Sequence, residues 1–226
     1  MDKAIKFASR NNLDFTLVTP YVTNIGLKKV KALLKELITR KLECEVVFND
    51  WGILKVINEK YGELTPLMGR LLNKNPREPR IMNIIDQLPE SALDYCKSTN
   101  LTTPHMCTFL KKSRIRRVEL DNPLQGIKIE FDDPEIKASL HVPYVYVTTT
   151  RLCLANACDI SGKEYIVQIS PCLKECQKYS FNLSNSIMPV TLIRKGNTIF
   201  YQNAKIPEDI NEENLDRIVF SPEIPI

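Results

Sequence analysis

Residues 14–49 read DFTLVTPYVTNIGLKKVKALLKELITRKLECEVVFN. Two short apolar runs, 14–22 and 44–49, flank a segment whose apolar residues recur every three or four positions. Leu27, Val30, Leu33, Leu34, Leu37 and Ile38 fall on one helical face over 26–41. The flanking runs, rich in Val and Thr, predict buried strands. Strand, amphipathic helix and strand in this order predict a βαβ unit with a parallel sheet.

The alternation continues outward. Residues 53–61 predict a short helix, and 66–72 (PLMGRLL) a third strand. Residues 74–81 (KNPREPRI) predict a loop, and 83–100 a helix in pieces. Residues 102–112 predict a helix capped by Thr103 with Pro104 in its first turn. Residues 116–120 predict a strand, and 138–149 (ASLHVPYVYVTT) the longest one. Short strands follow over 164–169, 190–194 and 198–202, the last two joined by a hairpin turn at 195–197. A last apolar run covers 217–220. The expected architecture is α/β: a TIM-barrel-like βα fold, incomplete or irregular, with a C-terminal Cys-rich, β-containing segment. Residues 1–152 form the barrel-like part, and 153–226 pack on the same domain.

Such folds place their working residues at the C-terminal ends of the strands. Asn49, Asp50 and Trp51 follow the second strand, Arg70 the third, Asn122 the fourth and Arg151 the fifth. The expectation is that they converge on one pocket. Asp50 has three readings: ligand, general base, or cap of the next helix. Trp51, the only tryptophan, is a core anchor or a pocket wall. Arg70 contacts an anion bidentately or forms a surface ion pair. His141 is a satisfied strand histidine or a ligand.

Cys153, Cys158, Cys172 and Cys176 form the second constellation, spaced C-x4-C-x13-C-x3-C. Four thiols so close together suit a thiolate-held metal centre. The spacing alone leaves zinc and an iron–sulfur cluster equally open, because zinc sites favour C-x2-C knuckles. Separate buried thiols are the plain alternative. Cys44 is the substitute ligand should one of the four be unused.

Composition narrows the classes. The 226 residues are 43% hydrophobic and carry a formal net charge of +4, short of the dense basic stripe of a nucleic-acid binder. Lys111, Lys112, Arg114, Arg116 and Arg117 cluster locally, as a solvated loop or an anionic-partner contact. No apolar run reaches the ~18 residues of a membrane span. The first residues lack a signal peptide's apolar core, so a cytoplasmic protein is expected. Clustered cysteines there read as metal-binding rather than as disulfides. There is no phosphate-binding glycine loop, hydrolase elbow or HExxH motif.

EVVFNDWGIL at 45–54, LMGRLLNKNPREPRI at 67–81, SLHVPYVYVTTTRLC at 139–153, CLKEC at 172–176 and DRIVFSPEIPI at 216–226 together resemble the U32 "peptidase" family. The resemblance implies a TIM-barrel-like domain and a [4Fe–4S] cluster on Cys153, Cys158, Cys172 and Cys176, with zinc as the alternative. It implies support of an oxygen-independent hydroxylation or related redox step on a small molecule or RNA. Asn49, Asp50 and Arg70 are then the catalytic candidates, and Trp51, Asn122 and Arg151 the substrate-binding ones. Arg70 or Arg151 would hold a carboxylate of the substrate or oxygen donor. Family members usually carry further N-terminal βα units, so a partner subunit is expected to complete the barrel. Two other readings stand beside this one: a non-catalytic assembly module stapled by zinc, and the peptidase of the family name.

Overall fold

The computed structural model describes all residues except 132, 151, 152, 154, 157, 163–171, 207–213 and 226. The strand expected at 164–169, and Arg151, lie outside the described residues. In chain order the elements are α1 (Asp2–Arg10), β1 (Thr16–Val18), α2 (Asn24–Thr39), β2 (Glu45–Phe48), α3 (Trp51–Lys60) and β3 (Thr65–Met68). Next come α4 (Glu90–Lys97), α5 (Pro104–Lys112), β4 (Arg117–Asp121), β5 (Lys137–Val142) and β6 (Tyr144–Thr149). The remaining strands are β7 (Phe181–Leu183), β8 (Leu192–Lys195), β9 (Thr198–Gln202) and β10 (Leu215–Phe220).

Six strands form one sheet in the order β1-β2-β3-β4-β5-β10, and every pairing is parallel. The helices follow from the same periodicity that predicts them. α2 is capped by Thr23, whose hydroxyl accepts from Gly26 N at 3.3 Å, and it buries Val30, Leu34 and Leu37. Leu34 and Leu37 are fully buried, each contributing about 1.5–3 kcal/mol of transfer free energy. With α3 and α5 they cover Phe48, Met68, Val118, Leu120, Ala138 and Leu140 on one face of the sheet.

The other face is concave and charged. β2 and β10 lie four strand positions apart, about 19 Å in a flat sheet at ~4.8 Å per strand. Arg217 nevertheless donates to both carboxylate oxygens of Glu45, at 2.5 and 3.1 Å. Fully extended, the two side chains and the hydrogen bond between them span roughly 15 Å, because bonds of ~1.5 Å advance only about 1.25 Å each along a zigzag. The sheet is therefore curled into a half-barrel. Arg117 reinforces the curl with a two-pronged hydrogen bond to Asp216.

The expected strand over 138–149 breaks into two. The Val142–Pro143 peptide is cis, and proline cannot donate to a central ladder. β5 stays in the parallel sheet, whereas β6 heads a second, antiparallel sheet ordered β6-β9-β8-β7. The two sequence segments therefore interleave: β10 returns from the later one to pair with β5. Gly196, at φ +63°, makes the expected turn between β8 and β9. Thr103 precedes α5 as expected, but its hydroxyl bonds Asn100 O at 2.8 Å instead of capping the helix.

Candidate functional site

The strand ends β1 to β4 build a buried polar cluster. Thr19 donates to Val47 O at 2.8 Å, and Asn49 donates to Thr19 O at 3.0 Å. Asn49 also accepts from Leu71 N at 3.2 Å. A Cβ on Gly69 would lie only 2.1 Å from the Asn49 Oδ1, so glycine alone lets β3 pass this amide. Asn49 thus ties the first three strand ends together.

Asp121 is the centre. It has no exposed surface. Its Oδ1 accepts from Arg70 Nη1 at 2.9 Å and from Tyr146 N at 2.8 Å, and its Oδ2 from Arg77 Nε at 2.8 Å. Arg70 Nη1 also donates to Tyr144 O at 2.7 Å. Arg77 Nη2 donates to Arg70 O and Asn73 O, and its guanidinium lies 5.3 Å over the Tyr146 ring. Two buried guanidiniums share one carboxylate, so one positive charge lacks a direct counter-charge among the described residues. The described bonds of Arg70 run through Nη1 alone, and none of those of Arg77 uses Nη1. Such a cluster favours a second anion, because an isolated buried charge is costly.

Three phenols surround it. Burial pushes the Tyr21 hydroxyl up, opposed by Arg77. Burial likewise raises Tyr146 and, most strongly, Tyr201. All three stay protonated donors at neutral pH. Tyr21 donates to Leu71 O at 3.0 Å, and Tyr201 Oη accepts from Leu124 N at 3.3 Å.

The remaining candidates are distributed. Asp50 caps α3, accepting from Gly52 N at 2.8 Å and Ile53 N at 3.3 Å. Trp51 is 46% exposed and stacks edge-on with Phe109 at 5.5 Å in an outer groove. Asn122 is fully buried and donates to Lys205 O at 2.8 Å, while its Oδ1 has no hydrogen-bond partner. His141 Nε2 lies 3.2 Å from Glu119 Oε1, yet neither ring nitrogen is hydrogen-bonded. The short separation without a bond reflects poor alignment. Arg77 was absent from the expected set.

The two segments that carry the C-terminal thiols meet: Leu173 N donates to Asn156 Oδ1 at 3.4 Å, and Lys178 Nζ lies 3.8 Å from Asp159 Oδ2. Burial raises the Cys176 thiol, and Cys172 and Cys153 raise it further. Burial also raises Cys158, followed by Asp159, Glu175 and, more weakly, Cys153. All are free thiols; Cys172 is exposed and the others are half-buried. As a donor set they fit a soft metal centre. Among the described residues, no group of three or more His, Cys, Asp or Glu is placed to hold a metal ion. Cys44 packs against the core at the start of β2, far along the chain from this group.

The thiols and the Asp121 cluster do not share one pocket. Cys176 lies against Gly196, where an added Cβ would come within 3.1 Å of its own Cβ. That turn adjoins the Thr149 end of β6, whereas Tyr144 and Tyr146 at the other end meet Arg70 and Asp121. One six-residue strand separates them, about 15 Å. The expected single pocket becomes two sites joined by β6.

No protein-family model, curated protein or solved structure matches this chain. No described helix is long and apolar enough to cross a membrane.

Proposed function

We propose that this chain is an iron–sulfur protein of the U32 kind. Cys153, Cys158, Cys172 and Cys176 would hold a [4Fe–4S] cluster. The chain would support an oxygen-independent hydroxylation or related redox step on a small molecule or RNA. The observation that carries the reading is that the two cysteine-bearing segments meet, Leu173 N donating to Asn156 Oδ1 at 3.4 Å and Lys178 Nζ lying 3.8 Å from Asp159 Oδ2. A bound cluster would supply one-electron chemistry.

The residues at the other end of β6 have a separate task. Arg70 and Arg77 would hold a carboxylate of the substrate or oxygen donor, with Asp121 fixing both guanidiniums. Tyr146 would present a protonated hydroxyl to it. Asn49 positions the strand ends, and Asp50 orders the start of α3. The half-barrel fits part of a TIM-type barrel, and a partner subunit adding strands at β1 or β10 would complete it.

Zinc is the second reading, and the separation of the thiols from the Asp121 cluster favours it: a structural staple needs no access to a binding pocket. The peptidase reading gains nothing here. His141 faces Glu119 and His105 lines the outer groove, and neither has a described bond to a nucleophile.

Single Cys→Ser variants at 153, 158, 172 and 176 test the ligand set. Each is expected to lose most of the iron and sulfide bound by the parent chain under anaerobic conditions. Full iron and sulfide in all four variants would end the proposal.

A further inference from the structure

A groove of about 580 Å³ runs between α3 and α5, outside the strand-end cluster. That volume lies within the ~300–1,000 Å³ typical of small-molecule sites. Its walls are mostly apolar. Trp51, at the first residue of α3, stands nearly perpendicular to Phe109 (87°), and Leu54 and Met106 extend the apolar surface. A half-exposed tryptophan beside a phenylalanine leaves aromatic faces for a flat ring.

The rim is one-signed. Lys55 and His105 line it, and no carboxylate is among the lining residues. The ammonium of Lys55 has one described partner, Glu59, 3.8 Å away, and both side chains are more than half exposed; such a pair is weak. The start of α5 carries no side-chain cap, which adds positive potential at the same rim.

We propose that this groove is a second ligand site, taking a small anionic aromatic molecule such as an aryl carboxylate. Its ring would lie against Trp51 and Phe109, and its anionic group would meet Lys55 and His105. The site is independent of the cysteines and of the Asp121 cluster, so it stands or falls apart from the proposed redox function.

Because Trp51 is the only tryptophan, its emission reports occupancy of this groove directly. The test uses the full chain, with naphthalene-2-carboxylate and naphthalene-2-methanol as probes in equilibrium dialysis. Trp51 emission is recorded in parallel. The carboxylate is expected to bind at least about fivefold more tightly than the alcohol. Both should change Trp51 emission. Lys55→Gln combined with His105→Gln changes two exposed side chains and should erase that preference while leaving alcohol binding unchanged. A circular-dichroism melt of the variant confirms its fold. Equal binding of the two probes, no Trp51 response, or a preference that survives the double variant would overturn the proposal. So would a chain that self-associates through the groove, seen as Trp51 emission and mass that shift together with protein concentration.

Discussion

Asp121 accepts three hydrogen bonds with no exposed surface, and two of its donors are guanidiniums. Its charge therefore matters more than its shape. Asp121→Asn keeps the volume but leaves Arg70 and Arg77 buried without a counter-charge. Breaking a buried pair in this way costs about 3–5 kcal/mol. The expected result is a large drop in the urea midpoint at unchanged slope; an unchanged midpoint would show that the arginines have another counter-ion. Part of this cluster was legible in the sequence. Gly69-Arg70 after an apolar run marks a strand end with a cation, and Asn49 marks another. Arg77 was not legible: its Pro-rich loop signals only a turn, and its partner Asp121 is 44 residues away. Local patterning carries no record of such a contact. Asp50 shows the converse, since Asp between strand and helix has capping as its commonest use, and capping is what it does.

At the scale of elements, β10 shows how the half-barrel holds its edge. Among the described residues it pairs in the parallel sheet with β5 alone, and its Ile218 and Phe220 are exposed. Ion pairs across the concave face add to the ladder: Arg217 to Glu45 and Arg117 to Asp216. The Arg117 hydrogen bond holds the Asp216 carboxyl below its ordinary value, against the opposing effect of burial. A depressed folded value stabilises the native state above the unfolded value of about 3.9, and this contribution is lost as pH falls through the folded value. Protection factors of β10 amides should therefore fall on acidification below about pH 4. Asp216→Asn should lower them at neutral pH and flatten that acid step. An acid step of the same size in the variant would assign it to another carboxylate. The strand itself was legible as an apolar run over 217–220. Its parallel partner was not, because the return to β5 spans the whole antiparallel sheet. The break at Pro143 had a readable cause: a proline inside a strand-like run argues against one continuous central strand.

For the whole molecule, the parallel βα half was legible because α2 and α3 each carry a clear apolar face next to a short apolar run. The second sheet was readable only as separate short strands, and nothing in their spacing showed that β6 would divide the molecule's two sites. Cys176 lies at the Gly196 turn, while the guanidiniums gather where β5 gives way to β6. The proposed redox and anion-binding roles therefore fall at opposite ends of one strand, with the aromatic groove on the outer helix layer as a third, separate surface. The central claim is the identity of the centre on the four thiols. The deciding measurement is iron, zinc and acid-labile sulfide analysis, with an absorbance spectrum, on protein purified without oxygen. The account predicts a brown protein with a broad band near ~400 nm and about four irons and four sulfides per chain. A colourless protein with about one zinc and no sulfide would contradict it and make the cysteines a structural staple.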